Sequence, residues 1–254
     1  AITRIMINRE FGASGDKVVI EACLKGPEAS LMAFVDGDTV VPMLLAQDHK
    51  RIGEGDTGPN TGGMGAYGPV PGISQDEINA MCDAIIKPVV RAIKSTGIPY
   101  RGVLFAGIML TPDGPMCLEY NCRFGDPETE VVIPRLKSDI LDLFEGVASN
   151  TLSERDIQFI DKSAATVMMV SGGYPGEYEK GKSIFGLNSI VDSIVFHAGT
   201  SADGPSVLTS GCRVLAVTSY GKNLEAALEK SYDSISKINY DGAYYRKDIG
   251  QDVR

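Results

Sequence analysis

At 254 residues, with 43% apolar and 22% charged residues, the chain can bury a substantial core as one large or two small domains. Its formal net charge of −9 argues against broad binding to nucleic acid or anionic membranes, though not against a nucleotide site with local positive charge. No apolar run reaches the ~20 residues that span a bilayer, the N-terminus lacks a signal-peptide pattern, and the five cysteines, with no Cys-x-x-Cys pair, read as reduced thiols in a cytoplasmic protein.

The chain opens on Ala1, as a fragment or processed piece would, and Ile2, Ile5 and Met6 suit one face of a short helix. Residues 17–24, rich in Val and Ile, predict a strand that ends at Glu21, Ala22, Cys23 and Leu24. Residues 30–35 and 39–42 flank Asp36-Gly37-Asp38, a hairpin signal. Residues 47–67 show neither helix nor strand periodicity, and a loop of that length inside a compact domain points to function or disorder. Within it, Asp56, Asn60, Thr61, Gly62, Gly63, Met64 and Gly65 form a glycine-punctuated run. Its backbone N–H groups could approach an anion, because glycine permits positive φ and close contact. It is neither a Walker loop nor a dinucleotide fingerprint, and a merely flexible loop is the plainer alternative. His49 could be a general base, but a polar structural role is the simpler reading, and more so for His197.

Ser74 followed by Glu77 makes a capping box, and Ile78, Met81, Ile85, Val89 and Ala92 recur at helical spacing. Pro88 should bend this helix, and Gly97 should end it. Two apolar runs, residues 103–110 and 116–120, are joined by Thr111-Pro112-Asp113-Gly114 and predict a hairpin. On its second strand Glu119 and Asn121 share one face, about 6.6 Å apart, and Arg123 joins them if the strand persists that far. Two oxygen donors at that spacing suit Mg²⁺, and Arg123 adds a cation for a phosphoryl oxygen. Asp126 and Glu128 follow a bend that could return them to the same site. Ser138 is expected to cap a helix to about Val147. The polar residues 150–161 read as a boundary. Beyond it, strand patterns recur at 164–170, 191–197, 206–208 and 213–218, a helix is expected over 222–238, and residues 242–247 could close the sheet.

The run from Leu118 to Glu130 resembles the metal-binding strand of the ATP-grasp ligases, and Asn-Cys-Arg-Phe-Gly-Asp-Pro-Glu narrows that to purine-pathway members. Together with Gln47-Asp48-His49-Lys50-Arg51, residues 56–67, 172–176, 196–200, 213–218 and 245–248, it is similar to the glycinamide ribonucleotide synthetase family over essentially the whole chain. The resemblance implies an α/β (α+β) chain: the larger part of an ATP-grasp catalytic domain, then a small C-terminal mixed β-sheet domain. Residues 1–25 would be a lid remnant, 26–161 the catalytic subdomain and 162–254 the C-terminal domain. It also implies ATP with Mg²⁺ or Mn²⁺ as cofactors, and glycine and 5-phosphoribosylamine as substrates. Glu119 and Asn121 would hold metal, while Arg123, Asp126 and Glu128 would act in catalysis. Residues 21–24 would face adenine, and Glu28 would hold ribose. Asp56, Asn60 and residues 61–65 would bind substrate. The N-terminal part of the same ligase would be missing, so the chain alone should be inactive, and later purine enzymes could be fused after it. Another carboxylate–amine ligase of that pathway, or a nucleotide-binding fragment without turnover, are the alternatives.

Overall fold

The structure is a computed structural model that describes residues 1–253; Arg254, the last residue of the expected C-terminal domain, lies outside the described residues. Helical turns at Thr3–Ile7 and Gly12–Gly15 open the chain. The strand expected at 17–24 does not form. That segment is unpaired, with Val19 84% and Ile20 79% exposed, because no neighbouring backbone meets its N–H and C=O groups.

The first paired strand is instead β1 (Glu28–Val35), which forms the expected hairpin with β2 (Val40–Pro42). Asp36 Oδ1 holds the turn by accepting from the N–H groups of Asp38 and Thr39 at 3.0 and 2.7 Å. The stretch expected to lack regular structure contains four short strands: β3 (Gln47–Asp48), β4 (Arg51–Gly53), β5 (Thr57–Asn60) and β6 (Gly65–Gly68). They are too short, and too glycine-rich, to leave a period-two signal.

The Ser74 capping box starts α1 (Gln75–Met81) as expected. Upstream of Pro88 the helix widens into a π turn at Cys82–Ile86 and then resumes as α2 (Lys87–Ser95). Proline has no N–H to donate and its ring crowds the preceding turn, so the regular ladder cannot pass through it. The inserted residue advances the buried stripe by one position. Ile86 and Val90 are buried, whereas Val89 is only partly buried and Ala92 is exposed.

β7 (Gly102–Thr111) and β8 (Gly114–Asn121) form the predicted hairpin. Two helices follow, α3 (Thr129–Val132) and α4 (Ile140–Ser149). The cap of α4 is Asp139, which accepts from Leu141 N at 2.8 Å, and not Ser138, whose hydroxyl is engaged with residues 156 and 158. The remaining elements are β9 (Ser163–Val170), β10 (Ser183–Ile184), β11 (Ile194–His197), β12 (Thr200–Asp203), β13 (Ser206–Thr209), β14 (Arg213–Gly221) and α5 (Leu224–Ile235). Residues 242–247 contribute one bridge, Val170 to Tyr244, and no strand.

The larger sheets run β2-β1-β7-β8 and β11-β14-β9-β6-β3; smaller ones run β10-β13-β12 and β4-β5. Side chains of β1 alternate between two cores, which is why the strand is almost uniformly apolar. Leu31, Ala33 and Val35 pack with Ile78, Ile86 and Val90, while Met32 and Phe34 pack with Val131, Leu143 and Val147. A third core lies between the second sheet and α5. The pairing of β6 with β9 means that this sheet draws strands from both sides of the boundary expected at 161/162.

Candidate active site on the edge strand and glycine loop

β8 is the edge strand of the first sheet, and its exposed face carries the predicted cluster. Glu119 sits opposite Gly107 and Asn121 opposite Phe105, with an irregularity between Gly107 and Ile108. Asn121 Nδ2 donates to Glu119 Oε1 at 3.2 Å, and the Arg123 guanidinium donates to Asn121 Oδ1 at 3.4 Å and to the Phe124 carbonyl at 3.0 Å. The pleat brings Glu119 and Asn121 together; β8 ends at Asn121, so Arg123 lies on the bend that follows and reaches Asn121 from there. The Glu119 carboxylate and the Asn121 amide oxygen, which here accepts from Arg123, are hard donors of the kind Mg²⁺ or Mn²⁺ takes, with water and phosphate oxygens completing the shell. Among the described residues no cluster of three or more His, Cys, Asp or Glu side chains offers a metal site.

Lys50, which sequence reasoning placed in a motif but gave no role, lies in the same neighbourhood. Its Nζ pairs with Glu28 Oε2 at 2.6 Å. Burial works against its charge, but the Glu28 bond and the Asp48 and Glu119 carboxylates raise it above the ordinary lysine range. A cavity of about 400 Å³ is lined by Glu28, Asp48, Lys50, Asp56 and Asn60. The residue expected at ribose and two expected at substrate therefore share one cavity. Glu21, Ala22 and Cys23 are exposed and Leu24 is half-buried.

Downstream of β8 the acids diverge. Asp126 is exposed and pairs with Arg213 at 2.8 Å. Glu128 turns inward, only 3% exposed, and accepts from Ser30 Oγ at 2.6 Å. Glu130 has its carboxyl pushed up to about 7, first by burial and then by the Asp126 charge, and its Oε2 is buried without a hydrogen-bond partner. Asp48 is raised well above the carboxylate range by burial and then by Glu128, and its Oδ1 is likewise unpartnered. Neither Asp48 nor Glu130 was selected from sequence; an acid in a run of mixed charge carries no mark of its burial.

The glycine loop differs from the expected anion cradle. The Gly62 N–H donates to Tyr174 Oη at 2.8 Å, the Gly63 N–H to Thr61 Oγ1 at 3.0 Å and the Met64 N–H to the His49 carbonyl at 2.8 Å. Three of the N–H groups expected to face an anion are thus bonded within the chain, and the Met64 side chain fills the third core. Gly63 has φ +113°, and a Cβ there would collide with the Pro127 ring and lie 2.8 Å from Asp48 Oδ1. Gly65 pairs with Val167 in β9. Asp56 pairs with Arg246 at 2.7 Å, and Arg246, almost wholly buried, also pairs with Asp248 at 2.7 Å. His49 is buried and its Nε2 accepts from Gly250 N at 3.3 Å, while His197 Nδ1 contacts Thr200 Oγ1 at 2.9 Å. Both fit the structural reading.

Residues 1–129 match the phosphoribosylglycinamide synthetase ATP-grasp (A) domain, and residues 164–252 match the C domain of the same synthetase. The chain is 47% identical over 245 residues to the phosphoribosylamine–glycine ligase of Caldanaerobacter subterraneus, covering 96% of this chain and 59% of that protein. It is 47% identical over 253 residues to the trifunctional purine biosynthetic protein adenosine-3 of Gallus gallus, covering 98% of this chain and 25% of that protein. The crystal structure of the phosphoribosylamine–glycine ligase from Thermotoga maritima superposes with a TM-score of 0.77 at 33% identity, covering 90% of this chain and 56% of that one. The chain therefore spans well under two thirds of the relatives it matches. No helix among the described residues is long and apolar enough to cross a membrane. With both of its domain matches in order, an exposed edge strand bearing Glu119 and Asn121, and Arg123 on the bend beyond it, the chain belongs to the phosphoribosylglycinamide synthetase family and has its ATP-grasp fold.

Proposed function

We propose that this chain is the metal- and substrate-binding part of an ATP-dependent ligase that joins glycine to 5-phosphoribosylamine. The observation that supports it most is the Glu119–Asn121–Arg123 cluster, in a chain of this family whose Glu28–Lys50 pair lines the nearby cavity. In the reaction, a glycine carboxylate oxygen attacks the γ-phosphorus of ATP and the bond to ADP breaks. The amine nitrogen of phosphoribosylamine then attacks the carbonyl carbon of glycyl phosphate. The C–O bond to phosphate breaks, the nitrogen loses a proton, and glycinamide ribonucleotide forms.

A bound Mg²⁺ or Mn²⁺ neutralises charge on the triphosphate. Glu119 and Asn121 hold that ion, and Arg123 meets a phosphoryl oxygen. Backbone groups of Glu21, Ala22, Cys23 and Leu24 face adenine, and Glu28 holds ribose. Asp126 binds the glycine ammonium or positions the attacking amine, the buried Glu128 holds Ser30 behind it, and Asp56, Asn60 and residues 61–65 border the substrates. The parent protein works in the cytoplasm, either as a single ligase or joined to later purine enzymes as in the trifunctional relatives. The test is ADP formation by the full-length protein. It should require both glycine and phosphoribosylamine, and equal rates with another carboxylate would defeat the assignment of glycine.

A further inference from the structure

The Gly62 peptide is gripped from both sides by residues more than a hundred positions away. Its N–H donates to Tyr174 Oη at 2.8 Å, and its carbonyl accepts from Arg213 at 2.7 Å. The same Arg213 nitrogen donates to the Asp126 carbonyl at 3.1 Å, and the second terminal nitrogen to Asp126 Oδ2 at 2.8 Å. One guanidinium thus joins the glycine loop to the segment that leaves the metal strand, since Asp126 lies five residues beyond Asn121. A planar fork suits three acceptors in fixed directions, which a lysine ammonium on a flexible stem cannot match. Glycine at 62 is part of the device: a Cβ there would lie 3.1 Å from Arg213 Cζ. Arg213 starts β14 where the register with β9 shifts, so the strand irregularity frees its side chain to cross to the other half of the molecule.

We propose that Arg213 and Tyr174 are positioning residues for ligation, holding the Gly62 peptide and Asp126 in the single geometry that the small substrates require. The proposal rests on the ligase reading above. It gives the residues after 161 a share in the site without a metal ligand or a reacting group. Loosening the grip displaces groups that border the substrates but leaves the Glu119–Asn121 pair and the nucleotide side untouched. The loss should therefore fall on turnover, because small misplacements at a reacting centre cost on the order of 10²-fold.

The test uses the full-length enzyme. Arg213→Ala should lower kcat about 10²-fold while the KM for ATP stays close to wild type, with a loss of melting temperature too small to account for the fall in rate. Arg213→Lys, which keeps a charge beside Asp126, should recover little of the rate. Tyr174→Phe removes one hydroxyl and should cost several-fold in kcat. The double variant should lose less than the product of the single losses, because both residues act on one peptide. A kcat within twofold of wild type for Arg213→Ala overturns the proposal. So does an Arg213→Ala loss that only tracks unfolding while Tyr174→Phe behaves as wild type. If the wild-type enzyme makes no ADP from glycine and phosphoribosylamine, the ligase reading itself fails and takes the proposal with it, a result visible before any variant is made.

Discussion

The edge strand and the glycine loop face the same region but are held in different ways. On β8, the alternation of one strand aligns Glu119 and Asn121, Arg123 follows on the next bend, and their mutual contacts span five residues of sequence. The loop at 61–65 has no such internal rule. Thr61 bonds to Lys50, Gly62 to Tyr174 and Arg213, Gly63 abuts Pro127 and Asp48, and Met64 bonds to His49. Side chains on a solvent-facing strand can therefore change with little effect on folding, whereas the loop is coupled to four other segments. Function and stability separate in the first region and are joined in the second.

The sharpest check on that contrast is Glu119→Ala in the full-length enzyme. Turnover should fall by on the order of 10²–10³-fold or more, the scale of losing a group that stabilises transition-state charge, with an almost unchanged melting curve, since Glu119 is exposed. Wild-type rates at limiting Mg²⁺ would remove Glu119 from the site.

Gly63→Ala should do both kinds of damage. Its positive φ and the blocked Cβ position predict a destabilisation of about 2–4 kcal/mol, read by urea titration, together with a large loss of rate. A variant that loses rate alone would show that the loop is not packed as described.

Glu130 lies on the segment between the two regions, and its carboxyl is pushed up to about 7. A carboxyl raised on folding favours the protonated state. Its stability cost therefore grows as pH climbs from the unfolded value near 4.5 to about 7 and is constant above that. Glu130→Gln should stabilise the protein at about pH 8 by up to about 3 kcal/mol and have little effect near pH 4. Equal effects at both pH values would mean that the Glu130 carboxyl is not raised.

The smallest effect is expected at Asp248, which anchors the β4–β5 hairpin beside the loop through Arg246 and Gly55 N. Burial tends to raise its carboxyl, but the bonds from Arg246 and Gly55 hold it below the ordinary range. A depressed carboxyl adds stability above the unfolded value, and that contribution disappears as pH falls through the folded one. Asp248→Asn should lower the melting temperature by a few degrees at neutral pH and lose this effect in strong acid; the same deficit at both would argue against the ion pair.

Where one local rule governs a region, the sequence is easy to read. The Ser74 capping box, the hairpin around Asp36, the 103–120 hairpin and the face shared by Glu119 and Asn121 all depend on neighbours a few positions apart. Where two rules compete, the reading slips. Asp139 displaces Ser138 as a cap, and the π turn before Pro88 shifts the buried stripe from Val89 to Val90. The segment at 17–24 has strand composition but no partner, and composition cannot supply one.

The sequence by itself determined the alternation that lines up Glu119 and Asn121, the glycines that allow a tight loop, and the family motifs, because each depends on residue type and spacing along the chain. Only the tertiary structure decided that the loop's N–H groups bond inward, that Glu128 is buried while Asp126 meets Arg213, that Asp48 and Glu130 hold raised carboxyls, and that β6 pairs with β9 across the polar boundary. The physical reason is that hydrogen-bond partners, desolvation and strand pairing are set by groups brought together from distant positions, and a periodicity read within one segment contains no information about which distant group arrives.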